Sequence, residues 1–548
     1  MRALSPKVIE FLDVNDTPIR LKMGDEKPCS CGNGVDRWVY VQATSAAHYW
    51  YAQHNRAVKR EQELQSTLEK AKAEIRVLKQ RLYGKSTESK KSTEKQNEDS
   101  NNNRSRGQQY GTPGHGRRKH ALEEIEEIIE FPENEKRCPR CQIPYETLLN
   151  TEDSEIIEVV VKGYIRKIKR QKYRTCCSCH PTTQILTAPA VPRLIPKGKL
   201  GVSVWASLLM DKYGGHTPTH RYLEKLESYG ISLAQGTITE GFKKLLPLFI
   251  PVVQTMKEKS QKEKHWHGDE TRWEVFEEVE GKVSSRWYLW LFKSKSVVYY
   301  KLAPSRGYRV PRDFFVGMDL GILNCDRYVV YKKLETNGIV ILALCWAHVR
   351  RDFLEVAKGY PELREWFHQW VKDIGLIYQL NHVRLKEIQS EEMQIAQDKL
   401  KNALNEMANK TQEELKNEQC HPAVRKVLRS LSQHWKGLTV FVEHPEIPMD
   451  NNVAESLLRG PVTGRKGYYG SGSIWSAELA AALFTLIQTL RLWKLNPLTW
   501  LYHYLEYCLH NNNEAPKDLS LFLPWLMDKE TVKKMSKPPS IFPGLNSS

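Results

Sequence analysis

Acidic and amide side chains that suit metal binding stand together in the stretch Asp450–Glu455. The stretch is typical of a turn that opens a helix, with Glu455 one turn into that helix. Cations follow it at Arg459, Arg465 and Lys466. Carboxylates bind divalent metals, and Arg and Lys bind phosphate. The pattern therefore predicts a divalent metal held beside a polyanion.

Two carboxylates far upstream stand in equally suggestive settings. Asp269 lies in a stretch of alternating polar and apolar residues, and Asp326 directly follows a short apolar run. The predicted strands are His265–Glu278, Arg286–Phe292, Ser296–Leu302, Gly321–Cys325 and Ile339–Cys345, with a short helix before the fourth. This order predicts an RNase H-like core, in which acids lie on the first and fourth strands and on a later helix. Asp269, Asp326 and Glu455 are the three candidates.

The chemistry of such a site explains the residue types. Cutting a phosphodiester in line requires an activated water or 3′-hydroxyl and a stabilised leaving oxygen, which two Mg²⁺ (or Mn²⁺) ions about 3.5–4 Å apart provide. Mg²⁺ prefers oxygen ligands, so carboxylates suit it. Any one of the three acids alone is explained as well by a cap, a turn or a salt bridge. We expect Asp450 to cap the helix that carries Glu455, with Asn451 and Asn452 shaping the turn.

Bulk properties point to a nucleic-acid partner. The chain has 548 residues, a net charge of +17 and eleven cysteines. Such a charge favours DNA or RNA, although a merely basic protein stays an alternative. No apolar run is long enough for a membrane span and no export signal stands at the N-terminus. We therefore expect a cytoplasmic, nucleoid-associated protein without a membrane partner.

Two pairs of cysteines, each with the spacing of a zinc knuckle, predict a structural Zn²⁺ site. They are Cys138 with Cys141 and Cys176 with Cys179. Between the pairs we predict two strands, Ile156–Val161 and Tyr164–Tyr173, which would form the hairpin of a zinc ribbon. The hairpin is rich in cations, of which Arg166, Lys169 and Arg170 are candidate DNA contacts.

Apolar residues recur at steps of four and three before the ribbon. We name this set the leucine stripe; its members are Leu64, Leu68, Ala71, Ile75, Leu78 and Leu82. It predicts a dimerising coiled coil, or else one amphipathic helix packed on its own domain. The following residues, 84–120, lack apolar periodicity and end in a basic stretch that includes Arg117, Arg118 and Lys119. They form either a DNA-binding arm or a solvated linker.

Three helices are predicted after the ribbon. They are Leu200–Tyr213, His220–Tyr229, which closes at Gly230, and a third that begins near Thr237 as its N-cap. A helix-turn-helix and a plain helical bundle both explain this pattern. Farther along the chain, Cys345 and His348 have metal-like spacing. A structural role at a helix start or a DNA contact by His348, Arg350 and Arg351 explains that block equally well.

At these motifs the chain resembles the DDE transposases of the insertion-sequence 66 family, from about Leu64 to Trp525. The matching stretches are Leu78–Glu88, Pro113–Arg117, the four-cysteine ribbon, Leu194–Lys197, His216–Arg221, His267–Thr271, Asp326–Tyr328, Cys345–Phe353, Asp450–Glu455 and Leu523–Trp525. The chain departs from the family's pattern at Arg327, Ser456 and Gly460. None of these three departures removes a candidate metal ligand.

The resemblance implies an enzyme that binds the terminal inverted repeats of its element, cuts them and joins the freed 3′-hydroxyls to target DNA. It also implies a homo-oligomer and small accessory proteins. Two alternatives are a non-catalytic zinc-ribbon regulator, such as a decayed transposase, and an RNase H-like nuclease.

The predicted fold is a multidomain α/β protein. Its regions are an N-terminal extension (1–44), a coiled-coil helix (45–83), a basic flexible linker (84–120), a zinc ribbon (121–190), a helical, helix-turn-helix-like DNA-binding region (191–260), an RNase H-like catalytic domain (261–510) with a helical insertion (355–445), and a C-terminal tail (511–548).

Overall fold

The computed structural model describes residues 9–12, 18–21, 37–83, 140, 163–174, 185–278, 280, 284–386 and 391–539. The predicted basic linker and the four cysteines of the predicted ribbon lie outside these residues. The chain divides into two compact units. The first comprises residues 1–86 and 345–449, and the second comprises residues 87–344 and 450–548. All three candidate acids belong to the second unit.

Nine strands and sixteen α-helices are found in the described part of the chain. The strands are β1 (Ile9–Leu12), β2 (Pro18–Leu21), β3 (Lys172–Arg174), β4 (Ile185–Thr187), β5 (His265–Glu274), β6 (Arg286–Lys293), β7 (Val298–Ala303), β8 (Gly321–Cys325) and β9 (Val340–Leu344). The helices are α1 (Arg37–Tyr83), α2 (Val202–Leu209), α3 (Thr219–Glu227), α4 (Gln235–Gln261), α5 (Arg309–Phe315), α6 (Val329–Thr336), α7 (Trp346–Gly359), α8 (Arg364–Lys386), α9 (Glu391–Lys416), α10 (Pro422–Gln433), α11 (Trp435–Leu438), α12 (Val440–Glu443), α13 (Asn452–Tyr468), α14 (Ile474–Leu492), α15 (Pro497–His510) and α16 (Lys529–Ser536). A π-helix, Met210–Gly214, continues α2, and a 3₁₀ turn, Pro361–Leu363, precedes α8.

A five-stranded mixed sheet dominates the second unit. Its order is β7-β6-β5-β8-β9, with β5, β6 and β7 antiparallel and with β8 and β9 parallel to β5. Every residue of β8 is buried, as expected for a parallel strand that is covered on both faces. The five predicted strands are all present, and the first of them ends at Glu274, four residues earlier than predicted.

Helix α14 lies along the edge strand β7. The backbone N–H groups of Val298 and Tyr300 donate to the hydroxyls of Thr489 and Thr485, at 3.1 and 2.9 Å. An unpaired strand edge can template association with another chain. The two threonines, one helical turn apart, therefore satisfy donors that the sheet itself leaves open.

The segment before this sheet differs from its prediction. The predicted strand Tyr164–Tyr173 is wrong, because residues 163–171 form no strand and only Lys172–Arg174 pairs, with β4. Residues 163–173 are all exposed, including Tyr164 and Ile165. Among the described residues, no sheet face buries the apolar side chains of this alternating sequence, and the predicted partner strand Ile156–Val161 lies outside the described residues.

The predicted helices after this segment are present, with one corrected boundary. Helix α4 begins after Ala234, whose backbone is extended, so the prediction of Thr237 as the N-cap is wrong. The N–H of Thr237 instead donates to the carbonyl of Ala234 at 3.1 Å, inside the first turn. Helices α2 and α4 pack closely, because a Cβ at Gly241 would overlap the Trp205 ring.

In the first unit, the 47-residue helix α1 packs on α7 through a face other than the leucine stripe. Ala73 is buried and lies against Gly359. The large members of the stripe with described side chains are exposed, namely Leu64, Leu68, Ile75 and Leu78. The predicted charged insertion is helical and forms α8 to α10. Among the described helices, none combines the length and apolar character that a membrane span requires.

Candidate active site

Asp269 lies on β5, the central strand of the mixed sheet. Side chains alternate along a strand, so His265, His267 and Asp269 share one face. The two imidazole rings are 4.9 Å apart, and Nε2 of His265 lies 2.6 Å from Oδ1 of the buried Asn324 on β8. Burial lowers the pKa of His267 to about 4, so this ring is neutral at pH 7. The neutral His267 ring and the buried Asn324 amide therefore lie close to the face of β5 that carries Asp269.

Asp326 directly follows β8, the neighbour of β5. Its Oδ1 accepts a hydrogen bond from the backbone N–H of Tyr328 at 2.9 Å. Tyr328 is the N-cap residue of α6. The side chain of Asp326 is thus held at the carboxyl end of β8, where the chain turns into a helix.

Glu455 lies in the first turn of α13. The prediction that Asp450 caps this helix is wrong: the N-cap residue is Asn451, and no side chain caps the helix. Asp450 instead accepts a 3.4 Å hydrogen bond from the side-chain amide of Asn452. The Asn451 side chain is turned to β5, where its amide donates to the carbonyl of Gly268 at 2.8 Å. Tertiary contact therefore replaces local capping at this turn.

The electrostatics of Asp269 reflect the charges of the other two acids. Burial, and then the charges of Glu270, Asp326 and Glu455, raise the pKa of Asp269 to about 7. The backbone N–H of Glu270, which donates to Asp269 Oδ1 at 2.8 Å, acts in the opposite direction. Asp326 and Glu455, which lie 57 and 186 positions after Asp269 in the sequence, are thus both within electrostatic reach of it.

The donor set of these acids fits a hard divalent cation. All candidate ligands are carboxylate oxygens, which Mg²⁺ and Mn²⁺ prefer. A bound cation would also offset the like-charge repulsion that raises the pKa of Asp269. Within the described ranges, no group of three or more His, Cys, Asp or Glu side chains is arranged as a metal cage. Mg²⁺ sites in phosphoryl-transfer enzymes take only one or two protein carboxylates and complete their shell with substrate and water.

The model of the Transposase IS66 family matches residues 197–479, which is more than half of the chain. This chain belongs to the IS66 transposase family. Two relatives come from Sinorhizobium fredii (strain NBRC 101917 / NGR234). Uncharacterized protein y4jD is 24% identical over 418 residues, covering 73% of this chain and 79% of the relative. Uncharacterized protein y4hP is 25% identical over 399 residues, covering 68% and 70%. Among solved structures, the Drosophila P element transposase strand transfer complex matches 54% of this chain and 93% of its own, with a TM-score of 0.32 and 10% identity.

The cations that follow Glu455 divide into two groups. Arg459 and Lys466 are exposed, and helical periodicity places them on the same side of α13 as Glu455. Arg465 is half-buried, and its guanidinium donates to the backbone carbonyl of Arg272 on β5. Arg465 therefore anchors the end of α13 to the sheet, whereas the other two cations face solvent.

The remaining candidate DNA contacts lie elsewhere. His348, Arg350 and Arg351 are on α7, which belongs to the first unit. Their predicted role stays a prediction. Arg166, Lys169 and Arg170 are exposed, on the irregular segment before β3.

The departure from the family pattern at Gly460 has a structural counterpart in this chain. A Cβ at Gly460 would lie 2.2 Å from Nε2 of His216. His216 has a φ of 59° and is half-buried against Phe484, with 5.8 Å between ring centroids. The absence of a side chain at position 460 thus lets His216, two residues after the π-helix, pack onto α13.

Sequence reasoning missed Glu270 and its partners. The Glu270 side chain is 1% exposed, although it neighbours Asp269. Arg306 binds one of its oxygens at 2.6 Å, and the hydroxyl of Tyr331 donates to the other at 2.5 Å. Burial raises the pKa of Glu270, and these two hydrogen bonds oppose that shift. The sequence carried one signal for Glu270, because a second acid stands directly after Asp269 in a predicted strand.

Proposed function

We propose that this IS66 family member is an active DNA transposase, with Asp269, Asp326 and Glu455 as its catalytic metal ligands. The observation that supports this most is geometric. Asn451, one turn before Glu455, donates to Gly268 beside Asp269, and Asp326 directly follows the strand that pairs with β5. The raised pKa of Asp269, about 7, agrees with this arrangement. Like charges held together in a partly buried site destabilise the fold, so such an arrangement indicates function.

We further propose that the catalytic core is RNase H-like. Three antiparallel strands are followed, through a helix, by two strands parallel to the first. The acids stand on the first strand, after the fourth strand and on a later helix, α13. This topology supports the assignment, because His267 of β5 pairs with Asn324 of β8, two residues before Asp269 and Asp326 respectively.

In this proposal the three carboxylates would hold two Mg²⁺ or Mn²⁺ ions. The ions, when bound, would activate a water or 3′-hydroxyl and stabilise the leaving oxygen. Asp269 contributes from a fixed strand position, whereas Asp326 and Glu455 are carried by elements that pack on that strand. The carboxylates thus bind and orient, and no side chain forms a covalent intermediate with DNA.

DNA is the substrate that the cations favour. Arg459 and Lys466 stand on the same side of α13 as Glu455, so they would contact phosphates that flank the scissile bond. Arg465 would hold α13 in place and contribute less to binding. With a net charge of +17, the affinity for DNA should fall steeply as salt rises, because bound Lys and Arg release counterions.

The remaining modules complete the proposal. The exposed leucine stripe on α1 would form a coiled coil between two copies. The four cysteines would bind Zn²⁺ and form a zinc ribbon. This ribbon and the helices α2 to α4 would support binding to the terminal inverted repeats, at the nucleoid in the cytoplasm. His348, Arg350 and Arg351, together with the basic residues 117–119, would contact element or target DNA, and small accessory proteins would assist.

The test is a cleavage and joining assay with labelled element ends, a target plasmid and Mg²⁺. Glu455→Gln keeps the shape of the side chain and removes its charge. We expect the wild type to cut and join, and we expect Glu455→Gln to bind the ends without cutting. Glu530→Gln on α16, an exposed residue, is the matched control and should behave as the wild type.

Other outcomes separate the alternatives. If the wild type binds the ends but cuts no better than Glu455→Gln, the catalytic proposal is wrong and a DNA-binding regulator is favoured. If the ends are cut but never joined to the plasmid, the nuclease is favoured. EDTA should abolish every product.

A further inference from the structure

The residues on either side of Asp269 each hold another acid-bearing element. On the N-terminal side, the side chain of Asn451 makes two hydrogen bonds to β5. Its amide donates to the carbonyl of Gly268 at 2.8 Å, and its Oδ1 lies 3.0 Å from Nδ1 of His267. Because the amide nitrogen faces a carbonyl, the oxygen must accept, so Nδ1 of His267 carries the proton.

This contact fixes the start of the third acid's helix. Asn451 is 1% exposed and is the N-cap residue of α13, one turn before Glu455. A helix start held by two buried hydrogen bonds has little freedom to rotate or slide along β5. Since Glu455 follows by one turn, its carboxylate takes its position relative to Asp269 from these bonds.

On the C-terminal side, Glu270 holds the segment that carries Asp326. One Glu270 oxygen accepts from Nε and Nη2 of Arg306 at 2.8 and 2.6 Å. The other accepts from the hydroxyl of Tyr331, which lies on α6 directly beyond Asp326. Side chains alternate along β5, so Glu270 reaches α6 from the face opposite Asp269.

Arg306 links Glu270 to Asp326 through Tyr328. Its guanidinium lies 4.0 Å above the Tyr328 ring, and the Tyr328 hydroxyl donates to the Arg306 carbonyl at 3.2 Å. The backbone N–H of Tyr328 in turn donates to Asp326. A continuous set of contacts therefore runs from Glu270 through Arg306 and Tyr328 to the second acid.

The two adjacent acids of β5 thus differ in their partners. Both oxygens of Glu270 accept hydrogen bonds from side chains, and its charge is matched by the Arg306 guanidinium. Asp269 accepts from the backbone N–H of Glu270 and lies near the other two acids. These different partners suit Asp269 for binding metal and Glu270 for holding the structure around it.

We propose that His267 with Asn451, and Glu270 with Arg306, are positioning residues that set the spacing of the three acids through β5. This inference rests on the proposed function, because it assumes that the acids bind metal. The four residues are not themselves metal ligands. Their role is to give two elements that are distant in sequence a fixed place beside Asp269.

The test is a calorimetric titration of the full-length protein with Mn²⁺, without DNA. Glu270→Gln and Arg306→Gln should each weaken Mn²⁺ binding by about 10–100-fold, the usual cost of losing a residue that orients a ligand. The double variant should lose no more than the stronger single one, because both residues act through one set of contacts. Far-UV circular dichroism and thermal unfolding report whether each variant folds.

Glu274→Gln is the matched control. Glu274 lies on the same strand, and its side chain also pairs with an arginine and a hydroxyl, those of Arg272 and Ser285, but these bonds link it to neither α13 nor the segment that carries Asp326. It should bind Mn²⁺ as the wild type does. On the other side of Asp269, His267→Asn can still donate from the Nδ1 position, so it should retain more affinity than His267→Ala.

The outcomes distinguish this inference from the function on which it rests. If Glu270→Gln fails to fold, Arg306→Gln decides, because the Arg306 side chain is 43% exposed and glutamine still offers a donor to the buried Glu270 carboxylate. Wild-type affinity in Arg306→Gln overturns the inference, and a loss of affinity confined to Glu270→Gln would mark Glu270 as a metal ligand. If the wild type binds Mn²⁺ no better than Glu455→Gln, the proposed function itself is wrong.

Discussion

Strand β5 and helix α1 break the usual distribution of side chains in opposite ways. Around Asp269 on β5, polar side chains such as Asn324 and Asn451 are almost fully buried. On α1, large apolar side chains are exposed, with Leu64 at 70% and Leu68 at 54%. Each region lies in a different compact unit, and each departs from the rule that apolar groups are inside and polar groups outside.

The two regions differ in where their unusual side chains find partners. Buried polar groups are tolerated only when they are hydrogen-bonded, and those of β5 find their partners within the same chain. An exposed apolar stripe with heptad spacing is typical of a surface that pairs with a second copy, as proposed above. We therefore expect that changes on β5 alter chemistry, and that changes on the leucine stripe alter association.

The largest effect is expected for Asp269→Asn. Removing this charge deprives the proposed site of the ligand that stands on the central strand. Cutting of labelled ends should fall to the background seen with EDTA, while sedimentation of the protein stays unchanged. Residual Mg²⁺-dependent cutting by this variant would contradict the assignment of Asp269.

A smaller effect is expected on the leucine stripe. Leu68→Glu and Ile75→Glu should each weaken self-association by roughly 10–100-fold, because burying one such side chain contributes about 1.5–3 kcal/mol. Analytical ultracentrifugation measures this change. Gln65→Glu, an exposed change off the stripe, is the control. A wild type that stays monomeric at all concentrations would show that the stripe does not dimerise.

The buried face of α1 should respond in the opposite way to the stripe. Ala73 lies against Gly359 of α7, so Ala73→Leu would overpack this contact and cost about 1–3 kcal/mol. Thermal unfolding should shift to lower temperature, with association per folded molecule unchanged. An unaltered melting temperature would mean that α1 does not pack on α7 through Ala73.

A further effect is expected on the pH dependence of stability without metal. The pKa of Asp269 is about 7 in the fold, above its ordinary 3.8, so the folded state binds this proton more tightly than the unfolded state. The resulting stabilisation is complete at low pH and is lost as pH rises from about 4 to about 7. In EDTA, the melting temperature of the wild type should therefore fall over this window more than that of Asp269→Asn. Equal slopes for the two proteins would contradict the burial of this charge.

The sequence predicted the elements of the site better than its contacts. Apolar runs and alternation are local signals, and they placed Asp269 and Asp326 correctly on and after strands. The bond from Asn451 to Gly268 joins residues 183 positions apart, so no local pattern announced it and Asp450 was predicted as the cap instead. The alternation of Tyr164–Tyr173 failed for the converse reason, since periodicity predicts a strand only where a surface exists to bury one face.

Iron-mediated cleavage of the protein backbone tests the central claim most directly. Fe²⁺ placed in the Mg²⁺ site, with ascorbate and peroxide, generates radicals that cut the chain close to the bound metal. We predict fragments ending near residues 269, 326 and 455 together, suppressed by excess Mg²⁺ and lost in Glu455→Gln. Cuts near only one of these positions, or an identical pattern in Glu455→Gln, would contradict a shared metal site.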